Sequence, residues 1–245
     1  MSFGKPIHKT RLNMTDSLNR VYGQPDDPFY YGLKPSEKLE TFLKETHPSA
    51  GEALDLGCGE GRNSLLLAHF GYHVHAVDVS NQGIQKLEKY ARSQGLDNIG
   101  YEVADVRTVH LTTNFYDAIV AVTILDHITK EEGKKVAESI INALKPEGFV
   151  FIEAFTVHDP AVNEARKEDE AISETASFVQ HYFDEGELAA WFSELETLKY
   201  EEIMKYDDSH GEPHYHGLAR LIGKKPQGKA QQFELNQIYP SITNH

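Results

Sequence analysis

The feature that most constrains this chain is the segment 53–61, ALDLGCGEG, in which a short apolar run ends in three glycines at alternate positions. The next segment, 63–70, has the apolar spacing of an amphipathic helix. This order predicts a buried strand, a tight turn and a helix. Glycine allows the sharp bend and keeps side chains out of the path of a ligand, while the free N–H groups at the helix start attract polar or negatively charged groups. We therefore expect a small-molecule site at the carboxyl end of a strand.

The spacing of the glycines narrows the kind of ligand. A dinucleotide-binding loop has the pattern Gly-x-Gly-x-x-Gly, but Arg62 stands at its third glycine position and Gly61 comes one residue too early. The spacing therefore disfavours a nicotinamide-dependent oxidoreductase. The pattern Asp55-x-Gly57-x-Gly59-x-Gly61 instead resembles the glycine-rich loop of class I S-adenosylmethionine-dependent methyltransferases.

The resemblance implies S-adenosyl-L-methionine as the cofactor and a set of residues that hold it. The resemblance implies that Asp78 would hold the ribose diol, because this acid ends the next predicted strand, 73–77. Asp105, just beyond the predicted strand 99–103, would accept the adenine amine. Cys58 is equally explained as a small residue packed under the turn. The full expected set is Asp55, Gly57, Cys58, Gly59, Gly61, Asp78, Val79, Asp105, Val106 and Val122.

The order of the predicted elements indicates the fold. Strands alternate with helices through a fifth strand at 149–155, which implies a parallel sheet with helices on both faces. A hairpin over 197–206 and 215–223 then closes the domain, as the resemblance also implies. We predict an α/β, doubly wound, mostly parallel seven-stranded Rossmann-like sheet with an antiparallel last strand.

The same reading divides the chain into three parts. Residues 1–20 are predicted to be a mobile N-terminal segment, and 21–225 to be the methyltransferase domain. Within that domain, the acidic and helix-prone stretch 156–183 interrupts the strand–helix rhythm and is predicted to be an insert over the active site. The polar tail, 226–245, is either disordered or laid over the surface.

Composition restricts the partners and the compartment. A formal net charge of −14 argues against a nucleic-acid partner, which requires a basic surface, and is compatible with a cationic cofactor. No apolar run approaches the ~20 residues that cross a bilayer. The first residues lack the apolar centre of a secretory signal, and Cys58 has no second cysteine to pair with, so a cytoplasmic protein is expected. The oligomeric state is left open.

Candidate catalytic residues follow the fourth predicted strand, 115–122. The methyl acceptor would meet the cofactor there. A base is needed only if the acceptor arrives protonated, and His127 is the first candidate because histidine exchanges protons near neutral pH. Asp126 is the alternative. Capping and packing of the following helix would explain both residues without any catalytic role.

Two further clusters are candidates for contact with the acceptor or for closure of the site. Tyr22, Tyr30 and Tyr31 belong to a turn-rich aromatic stretch that forms either a lid or a surface strap. His214 and His216 alternate along the last strand and so share one face. With His210 they suggest three interpretations, namely a metal site, a group that orients the acceptor, or a solvated turn. We predict the acceptor-side role and no metal.

The resemblance extends from about residue 22 to 225 and is closest to the small-molecule branch that includes tellurite-resistance and thiopurine methyltransferases. It is carried there by residues 126–128 and the histidine-containing hairpin. No Asp/Asn-Pro-Pro-Tyr stretch follows the fourth strand, which disfavours an adenine-amine DNA methyltransferase. We therefore expect methyl transfer to a small-molecule acceptor. The alternative is a non-catalytic S-adenosylmethionine-binding regulatory protein of the same fold.

Overall fold

The computed structural model describes residues 13–162, 179–208 and 211–227. Its seven strands form one sheet in the order β3-β2-β1-β4-β5-β7-β6. Strands β1 to β5 run parallel, and β7 is antiparallel to both β5 and β6. In chain order the strands are β1 (Glu52–Leu56), β2 (His73–Asp78), β3 (Ile99–Val103), β4 (Tyr116–Val122), β5 (Leu144–Phe155), β6 (Glu196–Asp207) and β7 (His214–Lys224). The predicted fold is confirmed.

Helices cover both faces of this sheet. The helices α2, α3 and α4 pack on one face, and α5 and α6 pack on the other. Their bounds are α1 (Met14–Tyr22), α2 (Glu37–Thr46), α3 (Arg62–His69), α4 (Asn81–Ser93), α5 (Lys130–Ala143) and α6 (Glu187–Trp191). The central strands β4 and β5 are almost entirely buried because both of their faces are covered. In the described part of the chain, no helix is long and apolar enough to cross a membrane.

The N-terminal segment differs from the prediction. Residues 1–12 lie outside the described part, but residues from Met14 onward form helix α1 rather than a mobile segment. The side chain of Asn13 caps the helix by accepting the N–H of Asp16 at 2.9 Å. The side chain of Asn19 accepts the Ser80 hydroxyl at 2.7 Å, which ties α1 to the start of α4. The cap is a local pattern, but the Asn19–Ser80 contact joins residues 61 positions apart, so the sequence alone does not show that α1 docks on α4.

The insert and the tail are described only in part. Thr156 and Phe183 at the two ends of the insert pair as an isolated parallel bridge. The predicted helical character of the insert concerns residues 163–178, which lie outside the described part. The same holds for His210 and for the tail from residue 228 onward.

Candidate active site

One cavity of about 630 Å³ opens at the carboxyl ends of the parallel strands. It extends from the glycine-rich loop to the start of β7, as expected for an open α/β sheet. Most of the predicted site residues line it, namely Tyr22, Tyr30, Tyr31, Gly57, Gly59, Asp78, Val79, Asp105, Val106, Val122, His127, His214 and His216. Four predicted residues do not line it, namely Asp55, Cys58, Gly61 and Asp126.

The glycine-rich loop is fixed from beneath by the residues that do not reach the cavity. Gly61 has φ +88°, and a Cβ there would lie 2.3 Å from Cδ1 of Leu87, so this glycine allows α4 to pack against the loop. Asp55 is buried, and its carboxylate accepts the Ser64 hydroxyl at 2.6 Å. Burial raises the pKa of Asp55 to about 6. Cys58 is buried beneath the turn. These three residues support the loop from below.

Asp78 is held at the end of β2 by two backbone donors. Its Oδ2 accepts the N–H of Gly59 at 2.8 Å, and its Oδ1 accepts the N–H of Ser80 at 2.7 Å. The residue is only 5% exposed, and burial raises its pKa although these hydrogen bonds oppose the shift. The carboxylate therefore bridges the glycine loop and the start of α4 and borders the cavity.

Asp105 lies on the same rim but has a different environment. The guanidinium of Arg107 donates to both carboxylate oxygens, with Nε at 2.9 and 3.0 Å. Arg107 also pairs with Glu132 at 3.2 Å. Hydrogen bonding from Arg107 lowers the pKa of Asp105, so this acid is ionised at neutral pH.

The aromatic strap, residues 28–31, is docked on the glycine loop by a buried ion pair. Lys86 of α4 and Glu60 of the loop are 1% and 4% exposed, and their charged atoms lie 2.8 Å apart. Lys86 also donates to the carbonyl of Pro28 at 2.8 Å, while Glu60 accepts the N–H of Tyr31 at 3.2 Å. The rings of Tyr22 and Tyr31 meet edge to face at 6.2 Å. Lys86 and Glu60 are 26 residues apart, so the sequence alone does not show that they pair.

The two catalytic candidates after β4 occupy different environments. Asp126 is fully buried, and its Oδ2 accepts the N–H of Phe155 at 3.1 Å. Burial raises its pKa, and because it does not border the cavity, the structure does not support it as the base. His127 does border the cavity, and its buried Nδ1 has no hydrogen-bond partner among the described residues. The short 3₁₀ turn Leu125–His127 separates them by pointing one side chain inward and the other to the cavity.

A buried charged cluster that the sequence analysis did not predict lies at the floor of the cavity. Glu153 of β5 lines the cavity, and its carboxylate is paired with Arg220 of β7, which also pairs with Glu201 of β6. The Ser36 hydroxyl lies 3.5 Å from the same Glu153 oxygen. A signal was present, because Glu153 and Arg220 interrupt strands that are otherwise nearly all apolar. The cluster joins three adjacent strands at the cavity floor.

The histidines of β7 belong to a chain of contacts that starts at Asp159, a residue that the sequence alone does not connect with them. Asp159, 3% exposed, lies 2.9 Å from Nδ1 of His216 through its Oδ2. The Nε2 atoms of His216 and His214 are 2.8 Å apart, and Nδ1 of His214 lies 2.7 Å from the carbonyl of Glu212. In the described ranges, no group of three or more His, Cys, Asp and Glu residues could hold a metal ion.

Comparison with known proteins identifies the family. The family described as "Tellurite resistance protein TehB" matches residues 40–212, which is more than half of the chain. "Hemagglutinin 1" of Eikenella corrodens is 28% identical over 219 residues, covering 82% of this chain and 68% of the relative. A "2-heptyl-1-hydroxyquinolin-4(1H)-one methyltransferase" of Mycobacteroides abscessus is 30% identical over 119 residues, covering 49% of this chain and 52% of the relative.

Solved structures agree on the fold. The crystal structure of TehB from Haemophilus influenzae superposes with a TM-score of 0.63 and 23% identity. The match covers 77% of this chain and 62% of that one, so the chain spans only part of this relative and about half of the quinolone enzyme. With the glycine loop and the strand order described above, the family match shows that this chain belongs to the TehB family of class I S-adenosylmethionine-dependent methyltransferases.

Proposed function

We propose that the chain transfers a methyl group from S-adenosylmethionine to a small-molecule acceptor that binds at the hairpin end of the cavity. The observation that carries the proposal is the continuity of this cavity. Its glycine-loop end is bordered by Asp78, and its opposite end is bordered by His214 and His216. A donor held at one end and an acceptor held at the other would face each other across a single space.

The residues at the glycine-loop end fit the methyl donor. The buried Asp78 carboxylate borders the cavity and would accept hydrogen bonds from the ribose diol, and Asp105 would accept one from the adenine amine. A side chain at Gly59 would meet the Tyr22 hydroxyl, so this position keeps the cavity open next to the loop. When bound, S-adenosylmethionine supplies an electrophilic methyl group.

The main contribution of the protein is to align the reacting groups. Holding a nucleophile at near-attack distance can lower a barrier by several kcal/mol without covalent participation of the protein. The strap and the glycine loop, joined through the Lys86–Glu60 pair, would fix one partner, and the hairpin and insert would fix the other. His127, which borders the cavity, would contact the reacting region.

A small acceptor agrees with the relatives and with the dimensions of the site. One relative is named for methyl transfer to a hydroxyquinolone, which is a small aromatic molecule. A cavity of about 630 Å³ lies in the range of small-molecule sites. It would hold the methyl donor together with an acceptor of modest size.

The rival reading is a regulatory protein that binds the cofactor without turnover. Both readings require binding of S-adenosylhomocysteine, which calorimetric titration measures directly. Only the enzyme transfers label from methyl-labelled S-adenosylmethionine to members of a panel of small phenols, N-hydroxy compounds, thiols, amines and tellurite. Binding without transfer to any panel member would contradict the proposal, and absence of binding would contradict both readings.

A further inference from the structure

A buried carboxylate fixes the orientation of one histidine at the acceptor end of the cavity. The Oδ1 of Asp159 accepts the N–H of Ala161 at 2.8 Å, and its Oδ2 accepts the N–H of Gly217 at 3.1 Å. The same carboxylate faces Nδ1 of His216, which donates its N–H to it. Nε2 of His216, which faces Nε2 of His214, is then the ring atom that can exchange a proton. In the hydrolytic and metal sites of other proteins, a carboxylate orients a histidine in the same way.

The hydrogen-bond chain requires one proton more than two neutral rings carry. Nδ1 of His216 faces a carboxylate and Nδ1 of His214 faces the carbonyl of Glu212, so both Nδ1 atoms must be protonated. The two Nε2 atoms are 2.8 Å apart, and two lone pairs would repel at this distance. A hydrogen bond between them needs a third proton.

We propose that Asp159, His216 and His214 form a relay that removes a proton from the methyl acceptor. His216 is the proton acceptor, Asp159 is a positioning residue, and His214 passes the proton towards the rim. This inference rests on the proposed function and extends it, because it assigns the acceptor to molecules whose nucleophilic atom carries an ionisable proton. Hydroxyl, N-hydroxyl and thiol compounds belong to this class.

Before transfer the pair holds two protons, the repelling Nε2 atoms separate, and the ring of His214 turns towards the rim. The acceptor gives its proton to Nε2 of His216 and keeps the electron pair of the broken bond. That electron pair forms the new bond to the methyl carbon, and the carbon–sulfur bond breaks with its electrons going to sulfur. The extra proton then lies between the two rings and leaves through His214.

Burial and neighbouring charges suit this direction of transfer. The side chain of His216 is 16% exposed, and His214, at the beginning of β7, is next to the exposed turn. On β6, Lys205 lies opposite His216 and Asp207 lies opposite His214. An acid therefore lies next to each histidine, Asp159 beside His216 and Asp207 beside His214, while Glu212 contacts His214 through its backbone carbonyl.

Nitrogen NMR of the histidine rings tests the relay without any acceptor. The full chain is labelled with ¹⁵N-histidine, saturated with S-adenosylhomocysteine and titrated from pH 5 to 9, and the ring signals are assigned with His214→Gln and His216→Gln. We expect the two rings to gain one shared proton in a single step, and Asp159→Asn to uncouple them. Two rings that titrate independently, or two that remain neutral throughout, would overturn the proposal. So would a stoichiometric transition metal that is removed by a chelator.

Kinetics separate this inference from the proposed function. The probe is 2-heptyl-1-hydroxyquinolin-4(1H)-one with methyl-labelled S-adenosylmethionine. Asp159→Asn should lower kcat about 10- to 100-fold and alter its pH profile, with KM and S-adenosylhomocysteine affinity nearly unchanged. The matched control is His158→Gln, which changes an exposed histidine next to Asp159 and should behave as wild type.

If the wild type fails to methylate any compound, the proposed function fails and the NMR titration still decides the relay. Equal kcat and pH profiles for wild type and Asp159→Asn would refute it.

Discussion

Removal of one member of the buried Lys86–Glu60 pair should destabilise the protein and loosen the cofactor end of the cavity. In Lys86→Met, the Glu60 carboxylate loses its cationic partner while only 4% exposed, and the carbonyl of Pro28 loses its donor. Breaking a buried ion pair on one side typically costs about 3–5 kcal/mol, because an uncompensated charge stays behind. The Pro28 hydrogen bond adds about 1 kcal/mol. The expected loss is a large fraction of the stability of a domain.

The double variant Lys86→Met/Glu60→Gln separates charge from packing. It removes both charges and keeps similar side-chain volumes, so most of the lost stability should return. The N–H of Tyr31 still has an amide oxygen to bond with in the double variant. Lys89→Met is the matched control, because Lys89 is on the same helix and pairs with Asp26 of the same N-terminal region, but at the surface. Its loss should cost no more than about 1 kcal/mol.

Urea unfolding gives the stability, and calorimetric titration with S-adenosylhomocysteine gives the affinity. We expect Lys86→Met to weaken cofactor binding about tenfold or more at a temperature where it is still folded. The reason is that this pair fixes the strap residue Tyr31, which borders the cavity and packs against Tyr22. Protease cleavage within residues 24–31 should become faster in the same variant. A Lys86→Met protein as stable as Lys89→Met, with wild-type affinity, would refute the reasoning.

Three further outcomes test the loop and its supports. Asp78→Ala should weaken S-adenosylhomocysteine binding about 10- to 100-fold, because charge-assisted hydrogen bonds to the ligand are lost; unchanged affinity by calorimetry would remove its ribose role. Gly61→Ala should unfold at lower urea than Gly95→Ala by roughly 1–3 kcal/mol, since both glycines have positive φ but only Gly61 has a neighbour, Leu87, within contact; equal losses would mean that the packing is not tight. Asp55 has a pKa raised to about 6, so its contribution to stability is fully present below pH 3.8 and is lost as the pH rises through 6. Relative to Asp55→Asn, whose amide does not titrate, the wild type should lose roughly 1–2 kcal/mol between pH 5 and 8; a constant difference in unfolding free energy would contradict this.

Features that depend on local sequence were predicted correctly. The strand–helix order follows from apolar periodicity, and the glycine loop follows from residue spacing. The capping box of Thr129 and Glu132 at the start of α5 is visible in the sequence for the same reason, because its members are three residues apart. In each case the interacting groups are close along the chain, so their pattern is preserved in any local window.

Features that depend on distant partners could not be predicted. Asp159 contacts His216 across 57 positions, and Lys86 contacts Pro28 across 58. An isolated aspartate or lysine in a loop or helix looks like an exposed residue until the fold brings its partner to it. Asp126 shows the converse, because its neighbour His127 borders the cavity while its own carboxylate turns inward. Sequence spacing places a residue on an element but does not determine which way a side chain points after an irregular turn.

The strand order also explains why the two ends of the cavity can serve different partners. Strands β1 and β2, with the loop and helix that follow them, border the end of the cavity that we propose for the methyl donor. The antiparallel β7 lies between β5 and β6, so its first residues reach the same edge of the sheet as the last residues of β5. Asp159, which follows β5, therefore meets His216 at the start of β7. Under the proposed function, substitutions in the hairpin would change the acceptor while leaving the donor end intact, because the two ends share the cavity but are built from separate halves of the sheet.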